Sequence, residues 1–247
     1  MGSIPITRSS FHVQVSIVAR YLVCTVLLSA VISPAQSAEL SGYVVLTSDY
    51  VWRGVTQSDG DPALQLGGDV AFGSGIYAGL WGSTVDINNG GDRQRDTELT
   101  YYLGYSHNIS TRWSLGVSVV AYTYPGQTGV VDYNYEEVML TANYDDRLWF
   151  EYAYSPDLYN TELESHNVEV FTEWPAGKHL IIGAGVGYYD VSNLVGDGYT
   201  YWESGVTWPI GQFDIDFRYH DTSRWVPIIS SPDRADSRVA LSFRFTF

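Results

Sequence analysis

RVALSFRFTF, residues 238–247, puts an apolar side chain at every second position: Val239, Leu241, Phe243, Phe245 and Phe247. Ala240, Ser242, Arg244 and Thr246 fall between them. A period of two is that of an extended strand with one greasy and one wet face. The sequence stops on this strand, whereas a terminus in water usually frays. The pattern therefore asks for a surrounding other than water.

The same alternation recurs backwards along the chain to Leu40. Twelve runs can be read, near 40–52, 62–72, 76–86, 96–106, 113–124, 133–144, 147–154, 164–174, 179–189, 199–208, 212–220 and 237–247. In QFDIDFRYH, residues 212–220, Phe213, Ile215, Phe217 and Tyr219 share one face, and Asp214, Asp216, Arg218 and His220 the other. Runs near ten residues suit tilted strands that cross a bilayer. The connections alternate between two classes. Residues 73–75, 107–112, 145–146, 175–178 and 209–211 make short ones; 53–61, 87–95, 125–132, 155–163, 190–198 and 221–236 make longer ones. Short turns on one side and long loops on the other are the habit of outer-membrane barrels.

Aromatic placement points the same way. The last apolar-face residues of the even-numbered runs are Phe72, Tyr105, Tyr144, Trp174, Trp208 and Phe247, with Trp113 beginning a run at that level. Tyr50, Trp52, Tyr154, Tyr188 and Tyr219 are expected at the opposite boundary. Two such belts are the aromatic girdles of a membrane barrel. In hydrocarbon every backbone N–H and C=O needs a partner, so the last strand must pair with the first and leave no edge.

The other end of the chain reads differently. Arg8, His12 and Arg20 occur without an acid, an apolar run spans 21–32, and PAQSAEL follows. These are the parts of a secretory signal peptide, with cleavage expected after Ser37. The apolar run is too short for a membrane-spanning helix. Two arginines and the one cysteine, Cys24, would leave with it, taking the formal charge from −15 to −17 and excluding a disulfide scaffold. The acid excess, with no basic cluster, argues against nucleic acid as a partner.

Residues 42–87, GYVVLTSDYVWRGVTQSDGDPALQLGGDVAFGSGIYAGLWGSTVDI, carry a resemblance. Leu46-Thr47-Ser48-Asp49-Tyr50, Arg53-Gly54, Gln57, Pro62-Ala63 and Gly79-Leu80-Trp81-Gly82-Ser83 resemble the opening of the TorF-type porin family. The closing strand that ends on Phe247 resembles the signal read by the bacterial barrel-assembly machinery. These resemblances imply an outer-membrane barrel with a channel role and bring no catalytic residue.

If the apolar face meets lipid, parity puts Asp69, Glu98, Glu137, Glu151, Glu169, Glu203, Asp214 and Asp216 in the lumen, with Arg218 and Arg244. Tyr102, Tyr122 and Trp149 also point inward, while Gly183, Gly185 and Gly187 are expected to leave space on one strand. Acid-lined pores favour cations. Asp49, Arg53 and Gln57 fall where the first long loop begins, at a channel mouth; Arg53 there would pair with Asp49 or another loop acid, or meet anionic solutes.

Catalysis finds little footing. Ser165 and His166 are adjacent on a strand and so point to opposite faces; His220, Asp221 and Ser223 sit at a strand end. His107, His166, His179 and His220 lack metal-ligand spacing. The acids of 59–61 and 190–197 lack that of a calcium loop. The reading is a single all-β domain, residues 38–247, behind a signal peptide at 1–37. It is a transmembrane antiparallel up-and-down β-barrel of about twelve strands. It would sit in the outer-membrane lipid and pass small hydrophilic solutes, with no cofactor, no metal and no enzymatic activity. A closed barrel whose loops bind a surface or partner is the alternative.

Overall fold

The computed structural model describes residues 38–89, 92–127, 132–227 and 229–247. The segment read as a signal peptide lies outside them. Twelve strands close into one antiparallel barrel. They are β1 (Ala38–Thr47), β4 (Ala63–Phe72), β5 (Ile76–Asn89), β6 (Asp92–Asn108), β7 (Trp113–Thr123) and β8 (Tyr135–Tyr144), followed by β9 (Leu148–Ser155) and β10 (Ser165–Ala176). β11 (Leu180–Asp190), β12 (Gly198–Ile210), β13 (Phe213–Thr222) and β14 (Arg238–Thr246) complete the wall. A small separate ribbon pairs β2 (Val51–Trp52) with β3 (Val55–Thr56). Two single-turn helices, α1 (Ser192–Val195) and α2 (Pro232–Ala235), and a 3-10 turn at Leu158–Asn160 lie in the longer loops.

Each wall strand pairs with its sequence neighbours, and the last returns to the first, from Tyr43 opposite Thr246 to Thr47 opposite Ser242. One residue further, the Phe247 N–H donates to the Gly42 carbonyl at 2.9 Å, and the Gly42 N–H to the Phe247 carbonyl at 3.0 Å. A Cβ on Gly42 would stand 2.7 Å from the Phe247 ring, so glycine lets that ring lie across the seam. The seam removes the exposed edge that an open sheet would carry.

The pleat sorts the side chains as alternation requires. Along β4, Leu64 and Leu66 are about half exposed, while Ala63 and Gln65 between them are buried. Phe213 and Phe217 of β13 are likewise more than half exposed. So many large apolar groups on one continuous surface fit hydrocarbon and not water. Each such side chain removed from water contributes roughly 1.5–3 kcal/mol. Tyr105, Trp174, Trp208 and Phe247 are exposed, and Phe72 and Tyr144 half-buried, all at the short-turn rim. Trp113 packs on Tyr144 there, 4.9 Å between ring centres. The tightest of these turns places Asp145 and Asp146 at φ 57° and 53°, the backbone that a two-residue hairpin needs.

Two expectations are corrected. Residues 87–95 are not wholly a loop, because β5 and β6 stay paired out to Asn89 and Asp92. The run 40–52 is not one strand: β1 ends at Thr47, and β2 and β3 turn inward. The chain bends where the Thr47 hydroxyl donates to the Asp49 carbonyl at 2.7 Å. Tyr50 is consequently buried, edge-on to Trp81 at 5.4 Å, and Trp52 packs at 6.2 Å from Tyr122. Neither belongs to an outer aromatic belt.

Candidate functional site

The lumen has two unlike halves, and the β2–β3 ribbon divides them. Arg53 and Gly54 form its turn at φ 47° and 79°, both in the left-handed region. The turn presses against the wall: a Cβ on Gly54 would stand 2.5 Å from the Thr222 methyl and 2.7 Å from Tyr201. Arg53 reaches β8, where its two terminal nitrogens donate to the Glu137 carboxylate at 2.7 and 2.9 Å. Both side chains are 1% exposed. The guanidinium lies between the rings of Trp52 and Tyr189, 4.7 Å from each. Burial alone would lower the Arg53 pKa, but the charge of Glu137 and its hydrogen bonds outweigh this and raise it well above the ordinary value. A two-toothed arginine–carboxylate bond away from water is the strong kind of ion pair.

At the long-loop end, the mouth is packed. Tyr122 and Tyr135 stack at 3.9 Å, and Tyr189, Tyr199 and Tyr201 join them with Val55 of the ribbon. Leu158, Val191 and Val226 fold in from three separate loops onto the same cluster. A gap of about 30 Å³ lies among these rings. Arg234 of α2 donates to the Asp86 carbonyl at 2.5 Å and meets Asp59 at 3.5 Å, which fastens the last loop over the ribbon.

Beyond the ribbon, toward the short-turn rim, the lumen opens into a cavity of about 560 Å³ that reaches Ser106, Ser114 and Asn143. Asp69, Glu151, Glu169, Glu203, Asp214, Asp216, Arg218 and Arg244 line it. Arg218 gathers several of these acids, with Asp216 at 2.8 Å and Glu203 at 3.6 Å, and its charge sits over the Phe171 ring at 5.3 Å. Arg244 lies over Tyr43 at 4.6 Å.

Not every residue read as lumen-facing reaches this cavity. Glu98 and Glu137 point inward but are 1% exposed, the first accepting from the Tyr124 hydroxyl at 3.3 Å and the second held by Arg53. Of the three residues placed at a mouth, Arg53 is sealed inside. Asp49 accepts from Arg238 at 2.9 Å and from the Ser58 hydroxyl at 3.0 Å, so the Arg53–Asp49 pair is not formed. Gln57 donates to the Val55 carbonyl at 3.1 Å within the ribbon. Nor do Gly183, Gly185 and Gly187 leave a gap. A Cβ at these positions would meet Arg218 and Phe171 at 3.1 Å, Phe171 at 2.9 Å and Tyr201 at 2.2 Å, because neighbouring side chains fill the room.

Glu173 and His220 also line the cavity. The first shares the parity of Glu169 four residues earlier, and that spacing was the signal for it. His220 meets Glu203 at 3.3 Å, and the Ser223 hydroxyl accepts from the Thr200 N–H at 3.0 Å, so those two take separate partners. Ser165 is buried, while His166 faces outward against the Tyr152 hydroxyl at 2.8 Å. Among the described residues no cluster of three His, Cys, Asp or Glu side chains could hold a metal ion.

A closed antiparallel barrel, apolar outside and charged within, defines the class of porin-like transmembrane β-barrels. Within it, the chain belongs to a bacterial family of unknown function, Gcw_chp, whose model matches residues 32–246. That match carries no TorF-type label. No curated protein sequence matches the chain. Among solved structures it is similar to the KdgM porin, at a TM-score of 0.52 and 10% identity over 85% of this chain and 99% of that one. The KdgM porin in complex with disordered oligogalacturonate matches with the same values. A structure from work on in-meso crystallization of membrane proteins matches at a TM-score of 0.53 and 11% identity, over 84% and 83%. These likenesses are of fold.

Proposed function

We propose that the protein is an outer-membrane channel for passive diffusion of small hydrophilic solutes, leaning toward cations, with the β2–β3 ribbon as its constriction. The observation that carries this reading is the charged cavity inside a closed, lipid-facing wall. Among the described residues, eight acids, counting Asp49 beside the ribbon, and three arginines, counting Arg53 at the ribbon's turn, line it. In a narrow, partly dehydrated passage that imbalance attracts cations and repels anions. Oligogalacturonate, the ligand in one KdgM structure, is a polyanion, and this lumen opposes such a solute.

Residues 1–37 would export the chain, the barrel-assembly machinery would recognise the strand ending on Phe247, and outer-membrane lipid would contact the exposed apolar wall. The packed mouth favours a second reading, a closed barrel whose outer loops bind a surface. Liposome swelling with the refolded protein separates the two. The channel reading expects faster swelling in small cations and neutral sugars than in dianions of equal size. Folded barrels that leave every solute outside would leave only the closed reading.

A further inference from the structure

The cavity wall combines carboxylates with aromatic faces. On one side, the Tyr102 hydroxyl donates to one oxygen of Asp69, a contact that depends on Gly79, where a Cβ would stand 2.7 Å from that carboxylate. Asp69 is 6% exposed and lines the cavity, and its second oxygen, Oδ2, has no hydrogen-bond partner. A carboxylate oxygen withdrawn from bulk water and left unbonded is costly, and a bound donor would satisfy it. The ring of Tyr77 lies 6.4 Å from that of Tyr102, tilted by 58°. On the facing wall Glu151 and Glu169 stand directly opposite each other on β9 and β10, a like-charge pairing that destabilises a sheet. The Tyr201 hydroxyl donates to Glu169 at 2.8 Å, and Tyr77, Glu151 and Glu169 line the same cavity.

Two cations of the chain already use this kind of surface, Arg244 over Tyr43 and Arg218 over Phe171. Aromatic faces beside carboxylates hold organic cations through the ring quadrupole and the opposite charge together. A metal ion would want three or more clustered ligands, which the described residues do not offer. A volume of about 560 Å³ falls within the range of small-molecule pockets.

We infer that this cavity is a binding site for a linear aliphatic diamine or short polyamine. One ammonium group donates to Asp69 Oδ2 against Tyr77 and Tyr102, and the other lies at the Glu151–Glu169 pair. The inference rests on the channel reading for how the ligand arrives, and names the solute class that this lumen retains.

Titration calorimetry on the refolded barrel in detergent tests it, with 1,4-diaminobutane, 1-aminobutane, glutarate and Mg²⁺ as probes at equal ionic strength. Folding of each variant is read from its heat-dependent gel mobility. The diamine should bind at least about tenfold more tightly than the monoamine, since its second ammonium adds a further charge-assisted contact. Glutarate should give no heat. Asp69→Asn should weaken the diamine roughly tenfold and leave the monoamine's remaining affinity at the far pair. Glu151→Gln provides the second variant and should bring the diamine down toward the monoamine. Absence of diamine heat from folded protein overturns the site, as does equal binding by the wild type and both variants. Mg²⁺ binding as tight as the diamine would also overturn it. Conductance on the same preparation keeps the two readings apart. Current steps without diamine heat remove this site and leave the channel; diamine heat without steps removes the channel and leaves the site.

Discussion

The two halves of the lumen are built from the same alternating strands and end in opposite states. Toward the long loops, five tyrosines, three loop side chains and the buried Arg53–Glu137 pair narrow the cross-section. Toward the short turns, acids and arginines surround a cavity of about 560 Å³. The alternation of the strands does not by itself decide this difference. Tyrosines of four wall strands crowd one half, and one segment, 48–62, turns into the barrel among them and brings a cation to a wall carboxylate. A twelve-strand cylinder lies between the small barrels that side chains fill and the large ones that hold water. Here one chain does both, at different depths.

The contrast can be broken most sharply at its fastener. Arg53→Ala strands Glu137 without its cation in a dry site, and should cost about 3–5 kcal/mol in unfolding measured in detergent. In a cycle with Glu137→Ala, the double variant should be much less destabilised than the sum of the single ones. Equal and additive losses would mean that the pair does not hold the ribbon. A smaller loss is expected from Gly187→Ala, whose added Cβ would meet the Tyr201 ring at 2.2 Å; overpacking of this kind costs about 1–3 kcal/mol. If stability is unchanged, the glycine strand has the spare room that its composition suggests and its neighbours do not leave. Asp214→Asn, in the inner half, should change stability by no more than about 0.5 kcal/mol. Its effect belongs in the ionic reversal potential, which should shift toward lower cation preference. An unshifted potential would separate this acid from the ion path.

How much of this could be read in advance depends on the kind of contact. Parity alone fixes the side of the wall on which Asp214 and Phe213 lie, because a pleated strand gives each residue only two directions. The rim residues Trp174 and Trp208 follow from the same count once strand ends are placed. The ribbon escapes that logic. Val44, Leu46, Tyr50 and Trp52 keep one parity, so nothing in the period marks the bend at residues 48–49 that sends the last two inside. The turn signal lies in Arg53-Gly54, where glycine supports a left-handed backbone. Its partner is harder still to foresee. Glu137 lies 84 positions away, and no periodicity links residues that meet across a barrel. The glycines of β11 teach a related lesson: an absent side chain marks room on its own strand, while Phe171 and Tyr201 on neighbouring strands determine whether the room stays empty.

Single-channel recording in a planar bilayer, comparing the wild type with Arg53→Ala/Glu137→Ala, tests the account most directly. The double variant removes the fastener without stranding a charge. Discrete steps are predicted from both proteins, favouring cations, with the larger conductance from the variant as the ribbon loosens. Folded, inserted barrels of either kind that pass no current would contradict it.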